Sequence, residues 1–248
     1  YLDDLRFDGV VHAVFLRSPH AHAEIRALDV AAARAAPGVL AVLTAADAAT
    51  DGLSPLRPTV DANVQTGEPF AVAPQPLLAH DRVRWVGEPV ALVVAQTRAQ
   101  AMDAAERSGV EYEPLPAVTT AEAARAPDAP QLAAEVPGNL CFDWRVGDAS
   151  AAFAQARHVV RVRVHNHRIV TNPMEPRGAV GLHADGRYTL HVSSQNLHGN
   201  RDVTARVLGV APSAVRFVAP DVGGGFGAKN FSYAEHALIL WAARRTGR

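Results

Sequence analysis

The chain has 248 residues, 48% of them hydrophobic, and a formal net charge of −1 at pH 7. That is apolar material for one large domain or two smaller ones, while the near-zero charge excludes the basic footprint of a nucleic-acid or membrane-surface binder. No apolar run approaches the roughly 20 residues that span a bilayer, and the single cysteine, Cys141, excludes an internal disulfide and a four-cysteine iron–sulfur cluster held by this chain alone.

The patterning predicts an α+β fold with mixed α/β structure. Residues 10–17 read as a strand. Asp29 caps a short helix that Pro37-Gly38 ends, and residues 39–43 return to strand. Residues 51–76 carry Pro55, Pro58, Pro69, Pro74 and Pro76 with little periodicity, which predicts a long irregular surface segment. Residues 90–95 are a continuous apolar run, as in a buried strand. Thr97 and Gln100 have the spacing of a capping box and open a helix that ends near Gly109, after which residues 110–112 begin another strand. This order predicts a β-α-β arrangement up to about residue 115.

Residues 117–138 are rich in alanine and proline and read as a linker. It separates a first domain, residues 1–116, from a second region, residues 139–248. In that region Asp148 caps an alanine-rich helix to Arg157. Val160, Val162 and Val164 then alternate with Arg161, Arg163 and His165, the period of a strand with one solvent-facing side. A strand at 188–194, a helix around 201–208 and a strand at 215–219 follow. Ser232-Tyr-Ala-Glu235 has the spacing of a second capping box, opening a helix that runs to the last residues.

The segment Asp221-Val-Gly-Gly-Gly-Phe-Gly-Ala-Lys229 lies between that last strand and helix. Glycine admits backbone conformations closed to other residues and brings bare N–H donors close to a ligand. A phenylalanine among four glycines is a placed ring. The phosphate-loop code fails, because Ala228 precedes Lys229 and Asn230 follows it. Gly223, Gly225 and Ala228 satisfy the dinucleotide fingerprint, but the acidic residue expected about 20 positions on is absent. Four glycines are more than a plain turn needs.

Other candidates are sparser. His20 and His22, like His165 and His167, are two apart and can share a strand face, but no third ligand stands at a recognisable spacing. Neither H-E-x-x-H nor G-x-S-x-G occurs. Glu175, beside Pro176 and two positions from Arg177, reads as a buried, paired charge with a structural rather than catalytic role. Gln195 ends a strand-like run in Ser193-Ser-Gln-Asn196, so its amide can point donor and acceptor groups into a cleft; the plain alternative is a surface glutamine.

The glycine segment resembles the GGGFG-x-K motif of the large, molybdenum-binding subunits of the xanthine oxidase family. Further motifs follow in that family's order: Tyr1-Leu-Asp-Asp4, Leu16-Arg-Ser-Pro-His-Ala-His-Ala23, Pro37-Gly-Val-Leu-Ala-Val42, Val86-Gly-Glu-Pro-Val-Ala-Leu-Val-Val94, Tyr112-Glu-Pro-Leu-Pro-Ala117, Asn172-Pro-Met-Glu-Pro-Arg177 and Ser193-Ser-Gln-Asn196. The resemblance covers essentially the whole chain. It implies a hammerhead-like α/β domain followed by the first part of a molybdopterin-binding domain, in a fragment expected to be inactive alone because family chains are longer.

The implied activity is hydroxylation of an aldehyde or N-heterocycle with water-derived oxygen. The implied cofactor is molybdenum–molybdopterin, in the cytosine dinucleotide form. Electrons are expected to leave to iron–sulfur clusters and FAD on partner subunits, in a hetero-oligomer such as a dimer of heterotrimers. The cytoplasm is the expected location, with export left open because the sequence does not begin with methionine. Carried over residue by residue, Gln195 supports an oxo ligand of molybdenum. Gly224, Gly225, Phe226 and Gly227 line metal and pterin through backbone N–H groups, and Phe226 also borders the substrate. Gln195 and Phe226 are thus the expected catalytic and metal-side residues. Asn230 stands where purine-oxidising relatives carry an acidic residue, which weighs against xanthine. Two readings of another kind remain: a non-catalytic scaffold or binding module of the same fold, and a dinucleotide-binding dehydrogenase.

Overall fold

A computed structural model describes residues 1–248. The first region forms β1 (His12–Arg17), β2 (Ala23–Asp29), α1 (Ala31–Arg34), β3 (Val39–Thr44), α2 (Ala45–Thr50), β4 (Arg82–Val83), β5 (Pro89–Ala95), α3 (Arg98–Glu106) and β6 (Gly109–Pro114). β5 is the middle strand of an antiparallel sheet, between β1 and β3, and all seven of its residues are buried. Leu92 and Val94 on one face join the largest core, whereas Val93 and Ala95 on the other pack with Ala101, Ala104 and Ala105 of α3. With both faces covered, the strand reads as a continuous apolar run.

The capping box at Thr97 forms as expected: the Gln100 N–H donates to Thr97 Oγ1 at 3.2 Å and the Thr97 N–H to Gln100 Oε1 at 3.0 Å. The β-α-β unit expected there does not form. β5 has both edges taken, so α3 carries the chain to a second antiparallel sheet, β4-β2-β6. Residues 51–76 are irregular apart from isolated bridges of Leu56 with Gln75 and Ala62 with Pro69; their prolines remove ladder donors.

Residues 117–138, expected to be a linker, contain the short α4 (Ala121–Ala124), and the second region adds α5 (Ser150–Gln155), β7 (Ala179–Ala184), β8 (Arg187–Val192), α6 (Leu197–Leu208), β9 (Val215–Val218) and α7 (Ala234–Thr246). β7 and β8 are antiparallel, and α6 returns the chain so that β9 lies parallel to β8. α7 packs on β7, and the approach requires Gly181: a Cβ there would stand 2.8 Å from Ile239 Cγ2 and 3.1 Å from its backbone.

Two local expectations give way to tertiary structure. Residues 160–165 form no strand, and Val160, Val162 and Val164 are 76–83% exposed. No neighbouring strand pairs with them, and a period of two without ladder partners leaves backbone groups to water. At the second box, α7 starts at Ala234 with no side-chain cap. Ser232 Oγ donates instead to the Asn200 carbonyl at 3.3 Å, and Glu235 pairs with Arg17 at 2.6 Å.

The largest core is shared by both regions. Leu43, Leu56, Leu78, Leu92 and Val94 from the first meet Tyr188, Leu190, Val192, Leu238 and Trp241 from the second. Trp241 is fully buried, and its indole N–H donates to Asp51 at 2.6 Å.

Candidate functional site

Tyr188 to His191 of β8 pair in parallel with Val215 to Val218 of β9. The two strands therefore open at the same edge, and the segments beyond the carboxyl ends of parallel strands are where such sheets receive ligands. Ser193-Ser194-Gln195 follows β8, and the glycine loop follows β9.

Gln195 lies against that loop. Its backbone N–H donates to the Lys229 carbonyl at 2.9 Å. Its side-chain Oε1 accepts from the backbone N–H groups of Gly227 at 3.0 Å and Lys229 at 3.3 Å. With the oxygen committed, the orientation of the amide is set, and its NH₂ group, on an exposed residue, donates to no protein acceptor.

Within the loop, the Gly223 N–H donates to Glu175 Oε2 at 2.8 Å, and the Ala228 N–H to the Gly225 carbonyl at 2.9 Å. The N–H groups of Gly224, Gly225 and Phe226 have no protein acceptor. Successive free backbone donors at such a turn receive anionic or electron-rich oxygen. Gly227 departs from the expectation: its N–H is taken by Gln195, so the run of free donors ends at Phe226. A Cβ on Gly223 would stand 2.5 Å from Glu175 Cβ, which cannot easily give way, while one on Gly225 would stand 2.3 Å from Gln195 Oε1 and would push that side chain off the loop. Phe226 has φ of +50°, and its ring is 74% exposed. A left-handed backbone costs a bulky residue about 1–2 kcal/mol, and such strain gathers at ligand sites.

Glu175 is the paired charge expected from sequence, but its partner is Lys229, at 2.9 Å, rather than Arg177. The same oxygen accepts from Ser193 Oγ at 2.5 Å, and Oε1 accepts from the Leu2 N–H at 3.3 Å. Burial alone would raise the Glu175 pKa; donation from Ser193, Gly223, Lys229 and Leu2 outweighs it and holds the carboxyl at about 2. In the sequence Lys229 stands out as the lysine of the GGGFG-x-K motif and as a failed phosphate-loop lysine, and neither reading reveals this role. The available signal is that Lys229 is the chain's only lysine, every other member of its 24 Lys and Arg residues being arginine. Its side chain has no solvent exposure, so the charge that meets Glu175 is a compact ammonium held wholly inside the fold.

The histidine pairs gather no ligand set. The His20 ring lies 4.8 Å from Tyr112 and His165 4.9 Å from His167, and no three His, Cys, Asp or Glu side chains stand together. The dinucleotide reading loses its support, because α7 begins only at Ala234 and no helix N-terminus stands behind the free loop donors.

Residues 1–116 match the "Aldehyde oxidase and xanthine dehydrogenase, a/b hammerhead domain" family, and residues 132–248 match the "Molybdopterin cofactor-binding domain" family. The chain belongs to the xanthine oxidase family of molybdenum hydroxylases. It is 38% identical over 248 residues to the nicotine 6-hydroxylase large subunit of Paenarthrobacter nicotinovorans, covering 98% of this chain and 30% of that protein. It is 34% identical to the carbon monoxide dehydrogenase large chain of Afipia carboxidovorans, covering 98% of this chain and 31% of that one. The crystal structure of quinoline 2-oxidoreductase from Pseudomonas putida 86 superposes with a TM-score of 0.89 at 38% identity, over 100% of this chain and 31% of that one. The chain thus spans just under a third of the length of these relatives. The family architecture, a hammerhead domain followed by a molybdopterin-binding domain, agrees with the α+β expectation. No helix is long and apolar enough to cross a membrane.

The residues present fit a molybdopterin group. Three free N–H donors on one loop and an unpaired amide NH₂ against that loop suit an oxygen-rich, anionic ligand.

Proposed function

We propose that this chain is the cofactor-binding part of a molybdenum hydroxylase that introduces water-derived oxygen into an N-heterocycle or an aldehyde. The free N–H run from Gly224 to Phe226, set against the Gln195 amide, carries the reading. When bound, the molybdenum–pterin group supplies the redox and Lewis-acid chemistry. The protein's part is to hold and orient it. Gly224, Gly225 and Phe226 donate backbone hydrogen bonds to its oxygen atoms. Gln195 donates from Nε2, a neutral donor that stabilises negative charge on oxygen without adding a competing ligand. The Phe226 ring borders the substrate and excludes water from that side.

Asn230, next to the buried lysine, presents an amide with both donor and acceptor, suited to a neutral heterocycle edge and without a fixed negative charge. Relatives named for nicotine and quinoline favour the N-heterocycle over the aldehyde. Relatives described as large subunits, or as a subunit of a dehydrogenase complex, support a hetero-oligomer. In it we assign iron–sulfur clusters and FAD to partner chains and the cytosine dinucleotide form to the pterin. A non-catalytic scaffold of the same fold has no use for a strained, solvent-facing Phe226.

The test is the molybdenum and pterin content of the intact protein purified from its own host, with isotope-labelled water followed into product. Stoichiometric metal is expected, falling severalfold in Gly225→Ala, whose Cβ would displace Gln195, and in Gln195→Ala. An intact protein with neither metal nor pterin would refute the proposal.

A further inference from the structure

The motif Asn172-Pro-Met-Glu-Pro-Arg177 has no part in the chemistry proposed above, yet it holds the glycine loop at several points. Glu175 grips both ends: its carboxylate accepts from the Gly223 N–H at 2.8 Å and from Lys229 Nζ at 2.9 Å. Its backbone N–H donates to the Gly223 carbonyl at 3.2 Å. Arg177 acts through Tyr233. The guanidinium lies 3.6 Å from the centroid of the Tyr233 ring, and the Tyr233 hydroxyl donates to the Ala228 carbonyl at 2.5 Å. Arg177 makes no ion pair, so the ring face is its principal partner. Pro176 between them fixes its own backbone angle, so both side chains leave one stiff stretch.

The spacing of these holds is informative. Gly223, Gly227, Ala228 and Lys229 are all tied, whereas the N–H groups of Gly224, Gly225 and Phe226 between them are free, the Gly225 carbonyl alone being held by the Ala228 N–H. A segment with four glycines has much conformational freedom to lose, at about 1–2 kcal/mol per ordered residue. It must also keep Phe226 left-handed, and strain persists only where the surroundings over-determine it.

We infer that Glu175 and Arg177 are positioning residues, a two-pronged clamp that fixes the 223–229 loop so that the N–H groups of Gly224, Gly225 and Phe226 stay free and Phe226 stays left-handed. The clamp's functional consequence rests on the cofactor reading given above; its geometry does not.

The test is amide hydrogen exchange on the intact native protein, comparing peptides over residues 221–231 with peptides over β5, alongside molybdenum and pterin content. In Glu175→Gln, loss of charge-assisted bonds is expected to speed loop exchange about tenfold with β5 unchanged, and to lower cofactor content. Arg177→Met is expected to give a smaller rise confined to the same peptides, and Arg177→Lys, which keeps a cation over the ring, to restore part of the protection. If Glu175→Gln unfolds the protein and β5 exchanges too, Ser193→Ala, which removes one donor and leaves the ion pair, must still produce a loop-confined rise. Unchanged loop exchange in every folded variant overturns the clamp. A loop-confined rise in a protein whose wild type carries no molybdenum or pterin upholds the clamp and refutes the cofactor reading instead.

Discussion

Phe226 combines two costs in one residue, a left-handed backbone and an aromatic ring left largely in solvent. Glycine would relieve the first and remove the second, so Phe226→Gly is expected to leave stability unchanged or raised. His236 tells the opposite story. It is buried on α7, and the ring's Nδ1 has no partner. Burial lowers its pKa to about 4, against a rise from Glu235 and with a further lowering from Arg177. The fold therefore holds the neutral form. Unfolded, the group returns to its ordinary 6.5, so its stabilising contribution is fully present above that value and is lost as pH falls through about 4. In His236→Phe, which cannot charge, the denaturant midpoint is expected to vary less with pH across that window. Curves that remain parallel to wild type would show that His236 does not set the slope.

Elements whose signals are local could be read from the sequence directly. The β5 run and the Thr97–Gln100 box each depend on neighbours a few residues away, and both form. The alternation at 160–165 needs a neighbouring strand that local sequence does not specify, and the box at Ser232, as local as that at Thr97, loses Ser232 to Asn200 and Glu235 to Arg17; both fail. The site divides in the same way. Gln195 and the glycine loop stand out as motifs, but their contact follows from the parallel β8–β9 ladder, and the Lys229–Glu175 pair joins residues far apart in sequence. Gly181 belongs at this scale too. Gly181→Ala would push a Cβ against the Ile239 backbone, and overpacking of this kind costs about 1–3 kcal/mol. A lower denaturant midpoint with loss of α7–β7 packing is expected; an unchanged midpoint would mean that the helix shifts without penalty.

Across the molecule, order is unevenly distributed. Residues 156–178 contain neither helix nor strand, and their apolar side chains at Val160, Val162, Val164, Ile169 and Val170 are exposed. Irregular exposed chain is where proteases cut first. Limited trypsin digestion of the 248-residue chain is expected to cleave first at Arg157, Arg161, Arg163 or Arg168, and the two products to stay associated through the shared core. Initial cleavage within the first region, or products that separate under native conditions, would contradict this layout. The same core bears on inheritance. Residues 117–138, expected from the sequence to be a linker, look like a seam at which genes could be shuffled, yet Leu92 and Val94 from before them share one core with Leu238 and Trp241 from after them, and Asp51 receives the Trp241 indole. A recombinant that takes one half from a distant relative receives a surface shaped for a different partner. Exchanging one half alone is therefore expected to cost stability that exchanging both together would not.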